Sequence, residues 1–198
     1  MTTPKGESQV EEAVGRLKRA VEELSQAIEA DPKDADAYQR RGVLFGQLAE
    51  AGSAIEDFSR VLKLNPQNVE AYYNRGLAYI HLSNHLAAAE DFTQAISLSP
   101  NHVDSYNNRA AAMYDLGRPR EAIRDADEAL KLNPDQASAY ALRAMANRQL
   151  GLEEDVNADS RKALELGFDG PLMNHLLRVA RKGFSLLPMA GQGPGPGA

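Results

Sequence analysis

Two charged residue types recur along the sequence at a constant interval. The first type is arginine, at Arg41, Arg75, Arg109 and Arg143. An aspartate follows each arginine at a second constant spacing, at Asp57, Asp91, Asp125 and Asp159. A guanidinium and a carboxylate can form a bidentate ion pair, whereas a row of free guanidinium groups can bind an anionic ligand. We favour structural ion pairs, and the alternative is an arginine ladder presented to an anionic ligand.

Other residue patterns that carry chemistry are weak in this sequence. His81 and His85 have the spacing of two metal ligands on one helix face, but Ser83 and Asn84 interrupt the helix between them and no carboxylate motif accompanies them. The sequence contains no nucleophile elbow, no phosphate-binding glycine loop and no cysteine. We therefore expect no catalytic residues, no metal site and no cofactor, and the chain is not expected to be an enzyme.

Composition excludes several classes of partner. The 198 residues carry a formal net charge of -6, with 22 basic and 28 acidic residues interspersed, which disfavours binding to nucleic acid. No apolar run approaches the length of about 20 residues that spans a bilayer, so membrane association is not expected. The lack of cysteine fits a reducing compartment, and we expect a cytoplasmic location.

The same interval also relates uncharged residues, which indicates an internal repeat. Within each interval, small and apolar residues fall at helical spacing in two blocks separated by helix breakers, so each unit is predicted to be a helical hairpin. One such hairpin cannot cover its own apolar face, and neighbouring units must stack. The recurring positions are Pro32, Pro66, Pro100 and Pro134; Tyr38, Tyr72, Tyr106 and Tyr140; and Leu48, Leu82, Leu116 and Leu150.

The second full unit resembles the tetratricopeptide repeat in its sequence of small, aromatic and proline positions. The matching residues are Tyr72, Gly76, Tyr79, Ala88, Phe92, Ala95 and Pro100. The resemblance implies an all-α fold, a right-handed α-solenoid of stacked antiparallel hairpins. Repeats are assigned to 35–68, 69–102, 103–136 and 137–170, flanked by a flexible amino terminus (1–6), a helix of a degenerate repeat (7–34), a capping helix (171–187) and a disordered Gly/Pro tail (188–198).

In this family the first helix of each unit lines a concave groove, so the resemblance implies that residues on those helices contact a ligand. Asn74 and Asn108 lie one repeat apart, and each amide can both donate to and accept from a peptide backbone. The candidate groove residues are Gln39, Arg40, Tyr73, Asn74, His81, Asn107, Asn108, Tyr114 and Arg148. The predicted function is a non-catalytic scaffold that binds a segment of another protein. The alternatives are a self-assembling structural protein and a detached regulatory subunit of a larger assembly.

The pairing of the charged ladder remains open at this level. Each arginine is able to bind the aspartate that follows it in its own hairpin. Glu23 extends the acidic series upstream, and this permits the other register, in which each acid binds the arginine of the following unit, beginning with Glu23 and Arg41.

Overall fold

The computed structural model describes the backbone of residues 4–181 and the side chains of residues 9–178. One long helix precedes four hairpins, each made of a first and a second helix, and a further helix follows them. The helices are α1 (Pro4–Ala30), α2 (Ala35–Gln47), α3 (Ala51–Leu64), α4 (Val69–His81), α5 (His85–Leu98), α6 (Val103–Asp115), α7 (Pro119–Leu132), α8 (Ala137–Leu150), α9 (Glu153–Glu165) and α10 (Gly170–Arg181). Among the described residues, no helix combines the length and the apolar composition that crossing a membrane requires. The predicted all-α solenoid of stacked antiparallel hairpins is confirmed.

The ends of the helical stack differ from the sequence-based boundaries. Helix α1 begins at Pro4, within the stretch 1–6 that was expected to be flexible. A proline suits the first turn of a helix because the N–H group it lacks would have no partner there. Helix α10 begins at Gly170. The predicted end of this helix at residue 187 and the tail 188–198 lie outside the described residues.

Short polar side chains fix where several first helices begin. The side chains of Asp34 and Asn68 each accept a hydrogen bond of 2.9 Å from the backbone N–H three residues later, on Ala37 and Ala71. These bonds satisfy N–H groups that the first turn of a helix leaves without partners. The two helices α2 and α4 therefore begin at equivalent positions, one repeat apart.

The turn inside each hairpin requires one residue with a left-handed backbone. The four residues are spaced by one repeat and have φ values of 59° at Ala49, 56° at Ser83, 71° at Gly117 and 76° at Gly151. Glycine adopts this conformation without steric cost, whereas alanine and serine are strained in it. The first two hairpins thus carry a backbone cost that the last two avoid.

In the first two hairpins, a glycine of the first helix lies against a phenylalanine ring of the second helix. A Cβ atom built on Gly42 would lie 2.9 Å from Cε1 of Phe58, and one built on Gly76 would lie 2.7 Å from Cε1 of Phe92. The absence of a side chain at these two positions therefore makes room for the phenylalanine rings. Both rings are almost fully buried.

Successive hairpins are joined by contacts between a second helix and the next first helix. Val61 and Leu62 of α3 form a buried cluster with Ala71 of α4, and Tyr72 packs against it. The corresponding cluster of α7 and α8 contains Ala129, Leu130 and Ala139. Because each second helix contacts both its own first helix and the next one, the apolar core continues along the stack.

Helix α10 closes the carboxyl end in a different way from the preceding helices. Met173 is 1% exposed and packs with Ala141 of α8 and Ala163 of α9, but most contacts of α10 are with α8. Leu164 of α9 is consequently 45% exposed, whereas Leu130 at the equivalent position of α7 is 8% exposed. Helix α10 therefore covers the end of α8 and leaves part of α9 open.

Candidate functional site

The arginine ladder forms the same bidentate ion pair in all four hairpins. Nε and Nη2 of each arginine donate to the two carboxylate oxygens of the aspartate that follows it in the same hairpin, with distances of 2.7–2.8 Å. The aspartates are buried, with exposed fractions of 3–8%. The hydrogen bonds to the aspartates raise the pKa of all four arginines further above its usual value. The pairs therefore link the first and second helices of each hairpin.

The third guanidinium nitrogen links each hairpin to the preceding second helix. Nη1 of Arg41 donates to Oγ of Ser25 on α1 at 2.9 Å, and Nη1 of Arg75 donates to Oγ of Ser59 at 3.0 Å. Thr93 and Asp127 accept the equivalent bonds from Arg109 and Arg143. The structure therefore selects the register in which each arginine pairs within its own hairpin. The register that begins with Glu23 and Arg41 is not formed, because Ser25 takes the place of Glu23 as the partner on α1.

An aromatic ring completes the environment of each guanidinium. The guanidinium carbon lies 5.5–5.8 Å from the ring centroid of the tyrosine three residues earlier, a distance at which cation–π attraction is appreciable. All three nitrogens of each arginine already donate bonds within the chain. The ladder is therefore occupied by internal contacts and does not present a row of free guanidinium groups to an anion.

The surface formed by α2, α4, α6 and α8, here called the first-helix groove, contains a mainly apolar cavity between α2 and α4. Its volume is about 230 Å³, and its lining includes Val43 and Leu77, with Asn74 and His81 from α4. The side chain of Val43 is 37% exposed. The amide of Asn74 makes no side-chain hydrogen bond to the described part of the chain. An apolar recess therefore lies beside an amide that retains both its donors and its acceptor.

Asn108, the repeat equivalent of Asn74, has a different environment. Its Nδ2 donates to the hydroxyl of Tyr73 at 3.2 Å and to the backbone carbonyl of Asp104 at 2.9 Å. The neighbouring Asn107 accepts a 3.1 Å bond at Oδ1 from Oγ of Ser138. Two of the predicted groove amides thus connect adjacent first helices, and Asn74 and Asn108 do not form a uniform ladder.

The two predicted groove tyrosines are both half-buried. The ring of Tyr73 lies 5.0 Å from that of His102 and 5.9 Å from that of Phe92, between centroids. Burial raises the pKa of Tyr73, and the negative charge of Asp104 raises it further. Tyr114 lines a second cavity of about 240 Å³ near α10, and burial also raises its pKa.

Among the predicted charged and polar groove residues, the two arginines have local partners. Arg40 lies 3.8 Å from Asp36, and Nη1 of Arg148 donates to the carboxylate of Glu153. Oε1 of Gln39 is buried without a hydrogen-bond partner in the described residues, and His81 is exposed. The two arginines are therefore less available to a ligand than their sequence positions suggest.

One charged contact at the edge of this surface was not anticipated as a pair. Nδ1 of His85 on α5 lies 3.4 Å from Oδ2 of Asp115 at the end of α6. Burial raises the pKa of Asp115, and the nearby His85 opposes this effect in part. The two residues belong to different hairpins, so only the stacking of these hairpins brings them together.

Sequence comparison identifies the repeat family. The family described as TPR repeat matches residues 52–82, and the family described as Tetratricopeptide repeat matches residues 69–102 and 103–136. Residues 52–136 of the chain are therefore tetratricopeptide repeats. No curated protein sequence matches it.

Solved structures with the same fold include those of MamA and YrrB. One MamA structure has 22% identity and a TM-score of 0.74, with 84% of this chain and 95% of that chain covered. MamA AMB-1 has 27% identity and a TM-score of 0.70, with coverage of 77% and 90%. YrrB, described as a TPR protein with an unusual peptide-binding site, has 19% identity and a TM-score of 0.67, with coverage of 80% and 82%.

Family and fold together define the general class of activity. Tetratricopeptide-repeat proteins are typically non-catalytic modules for protein interaction, and the chain is accordingly a protein-interaction scaffold. The stacked hairpins supply the rigid support for this role, because each first helix is held by buried contacts and by the arginine network.

Proposed function

We propose that the first-helix groove binds a peptide segment of another protein, and that the cavity between α2 and α4 receives an apolar side chain of that segment. The proposal rests on one combination of features. Val43 is exposed beside the cavity, and the amide of Asn74, which lines the same cavity, makes no side-chain hydrogen bond to the described residues. Apolar recesses with a few directed polar groups are typical of ligand sites. The amide is able to bond the backbone of the peptide while the cavity accepts its side chain.

The environments of the two asparagines predict unequal roles in peptide binding. Asn74 has free donors and a free acceptor, whereas the donors of Asn108 are occupied by Tyr73 and the carbonyl of Asp104. Asn74→Ala should therefore weaken peptide binding more than Asn108→Ala. A lost hydrogen bond of this kind costs roughly 0.5–1.5 kcal/mol, which is about a two- to tenfold change in Kd.

The test uses peptides selected from a random library on the immobilised full chain. Their Kd values are then measured by fluorescence anisotropy for the parent chain, Asn74→Ala, Asn108→Ala and Val43→Asp. The control is Glu56→Ala, because Glu56 lies exposed on the second helix α3. The proposal predicts the largest loss for Val43→Asp and no loss for the control. Selected peptides whose affinity is unchanged by Val43→Asp and Asn74→Ala would contradict it.

A further inference from the structure

Helix α1 has the sequence register of a second helix. Ala20, Glu23 and Leu24 lie one repeat before Ala54, Asp57 and Phe58 of α3. In the hairpins, residues at these three positions face the first helix of the same hairpin: Asp57 binds Arg41 and Phe58 packs over Gly42. No first helix precedes α1 in the described residues, so these side chains meet no such helix.

The face of α1 that corresponds to this contact is open. Leu24 and Ala20 are half-buried and Ala27 is exposed, whereas the equivalent residues Phe58, Ala54 and Val61 are 2%, 0% and 0% exposed. An open cleft of about 520 Å³ runs along this face, between α1 and α2. Its lining consists of Ala20, Glu23, Leu24, Gln39, Arg40, Val43 and Leu44.

Glu23 continues the acidic ladder without an ion-pair partner in the described residues. Each of the four aspartates in register with it accepts two hydrogen bonds from an arginine of the adjoining first helix. The arginine of α2 that bonds to α1 is Arg41, and it binds Ser25 instead. The cleft therefore has an acidic group at the position where each of the four hairpins places an aspartate that binds an arginine of its first helix.

We propose that the open face of α1 is a docking site for a helix of another protein that carries an aromatic residue, two residues of any type, an arginine and a glycine in succession. The arginine pairs with Glu23, and the aromatic residue lies beside the guanidinium, as Tyr72 does beside Arg75. Glycine is favoured at the next position because Leu24 is a large residue that stands where Phe58 and Phe92 stand in the hairpins, and both of these rings lie opposite a glycine. This site lies between α1 and α2 and shares Val43 with the first-helix groove, but it is inferred from Glu23 and the open face of α1 and not from the proposed peptide binding.

The open face does not fit a second copy of this chain. Helices α2 to α9 are already packed in hairpins, and α10 has Leu177 in the register position of the ladder arginines and Arg178 in that of the glycine. Helix α1 contains no aromatic residue, so a second α1 helix lacks the aromatic, arginine and glycine pattern that the open face would bind. Charge complementarity with Glu23 therefore selects a partner helix that contains arginine.

The probe is a labelled peptide with the sequence of residues 66–84, which contains Tyr72, Arg75 and Gly76. Short isolated helices are marginally stable, so the peptide is held helical by a lactam bridge between Glu70 and the substitution Asn74→Lys. These two positions lie away from the face that carries Arg75 and Gly76. A second peptide carries Arg75→Gln in addition, and circular dichroism verifies that the two peptides are equally helical.

Binding of both peptides to the full chain is measured by fluorescence anisotropy for the parent, Glu23→Gln and the matched control Glu22→Gln. We expect the parent and the control to bind the first peptide equally and Glu23→Gln to bind it at least about tenfold more weakly. The peptide with Arg75→Gln should bind the parent chain more weakly by the same factor. Combining this peptide with the Glu23→Gln chain should weaken binding no further, because the two changes remove one interaction. Glu23→Asp should retain binding.

Two results would overturn the proposal. The first is binding of the peptide that is unchanged by Glu23→Gln, since the peptide would then occupy another surface such as the first-helix groove. The second is the absence of binding to the parent chain at peptide concentrations up to about 1 mM. A Kd of that size corresponds to a binding free energy of about 4 kcal/mol. Circular dichroism of the Glu23→Gln chain verifies that replacing this exposed residue leaves the helices intact.

Discussion

Gly76 of α4 lies directly under the ring of Phe92 of α5, so that a Cβ atom at Gly76 would come within 2.7 Å of Cε1 of the ring. The first hairpin repeats this relationship with Gly42 and Phe58. The third hairpin has Ala110 and Ala126 at the same two positions, and the fourth has Ala144 and Ser160. A large residue on the second helix is thus matched by glycine, and a small one by alanine.

The first prediction is that Gly76→Ala destabilises the protein. The new methyl group must displace the buried ring of Phe92, and overpacking of this kind costs about 1–3 kcal/mol. The free energy of unfolding is measured by urea denaturation monitored by circular dichroism. The double variant Gly76→Ala with Phe92→Ala reproduces the pair of the third hairpin, so it should lose less than the sum of the two single losses. Unchanged or increased stability of Gly76→Ala would show that the ring is free to move.

The second prediction concerns the turns within the hairpins. Ser83→Gly should raise the free energy of unfolding by about 1 kcal/mol, because glycine relieves the strain of a positive φ. Gly117→Ala is the matched reverse substitution at the equivalent turn and should lower it by a similar amount. A loss of stability in Ser83→Gly would mean that the greater freedom of glycine in the unfolded chain outweighs the strain.

The third prediction concerns the buried ion pairs. Arg75→Ala leaves the carboxylate of Asp91 buried without its partner, and removing one member of such a pair costs about 3–5 kcal/mol. Replacing both residues, as in Arg75→Leu with Asp91→Leu, should cost less because no buried charge is left. Chemical denaturation of the three proteins measures the difference. Equal losses in the single and double variants would indicate that the charge of Asp91 is hydrated.

The sequence was sufficient to predict the repeat, its hairpins and the tetratricopeptide-repeat family. This is possible because helical spacing, breakers and the constant repeat interval are local properties of the chain. The same residues left two registers open for the arginines. In the structure, Arg41 bonds Asp57 in its own hairpin and Ser25 on the preceding helix. This choice depends on where Ser25 and Glu23 lie on the surface of α1 as well as on sequence distance.

The sequence was less informative about the predicted groove residues. The bond from Asn108 to Tyr73 joins residues of adjacent hairpins, and its formation depends on the distance between α4 and α6. The partner of Arg148 is Glu153, across the turn of the last hairpin. Most contacts of α10 are with α8, and the repeat pattern does not specify this packing either. Contacts between units thus limit what a single sequence reveals.

The fourth prediction concerns the pH dependence of Asp115. Burial raises the pKa of this carboxyl in the folded state above its ordinary value of 3.8, so folding favours its protonated form. The contribution of the Asp115 carboxyl to the free energy of unfolding is therefore present below pH 3.8 and is lost as the pH rises through the raised pKa of the folded state. Asp115→Asn should be more stable than the parent at neutral pH, and the gain should shrink as the pH falls towards 3.8.

This effect is measured as the difference in urea midpoint between the two proteins across the acidic range and at neutral pH. The variant His85→Ala removes the neighbouring imidazole, which opposes the raised pKa of Asp115, so Asp115→Asn should gain more stability at neutral pH in the His85→Ala background. A constant difference between Asp115→Asn and the parent at every pH would contradict a raised pKa for this group.

The most direct test of the proposed peptide binding is amide hydrogen exchange of the full chain with and without a library-selected peptide. If the first-helix groove binds the peptide, the added protection will fall on α2 and α4 around Val43 and Asn74, and it will be absent from the variant Val43→Asp. Protection confined to the second helices α3, α5 and α7 would contradict the account.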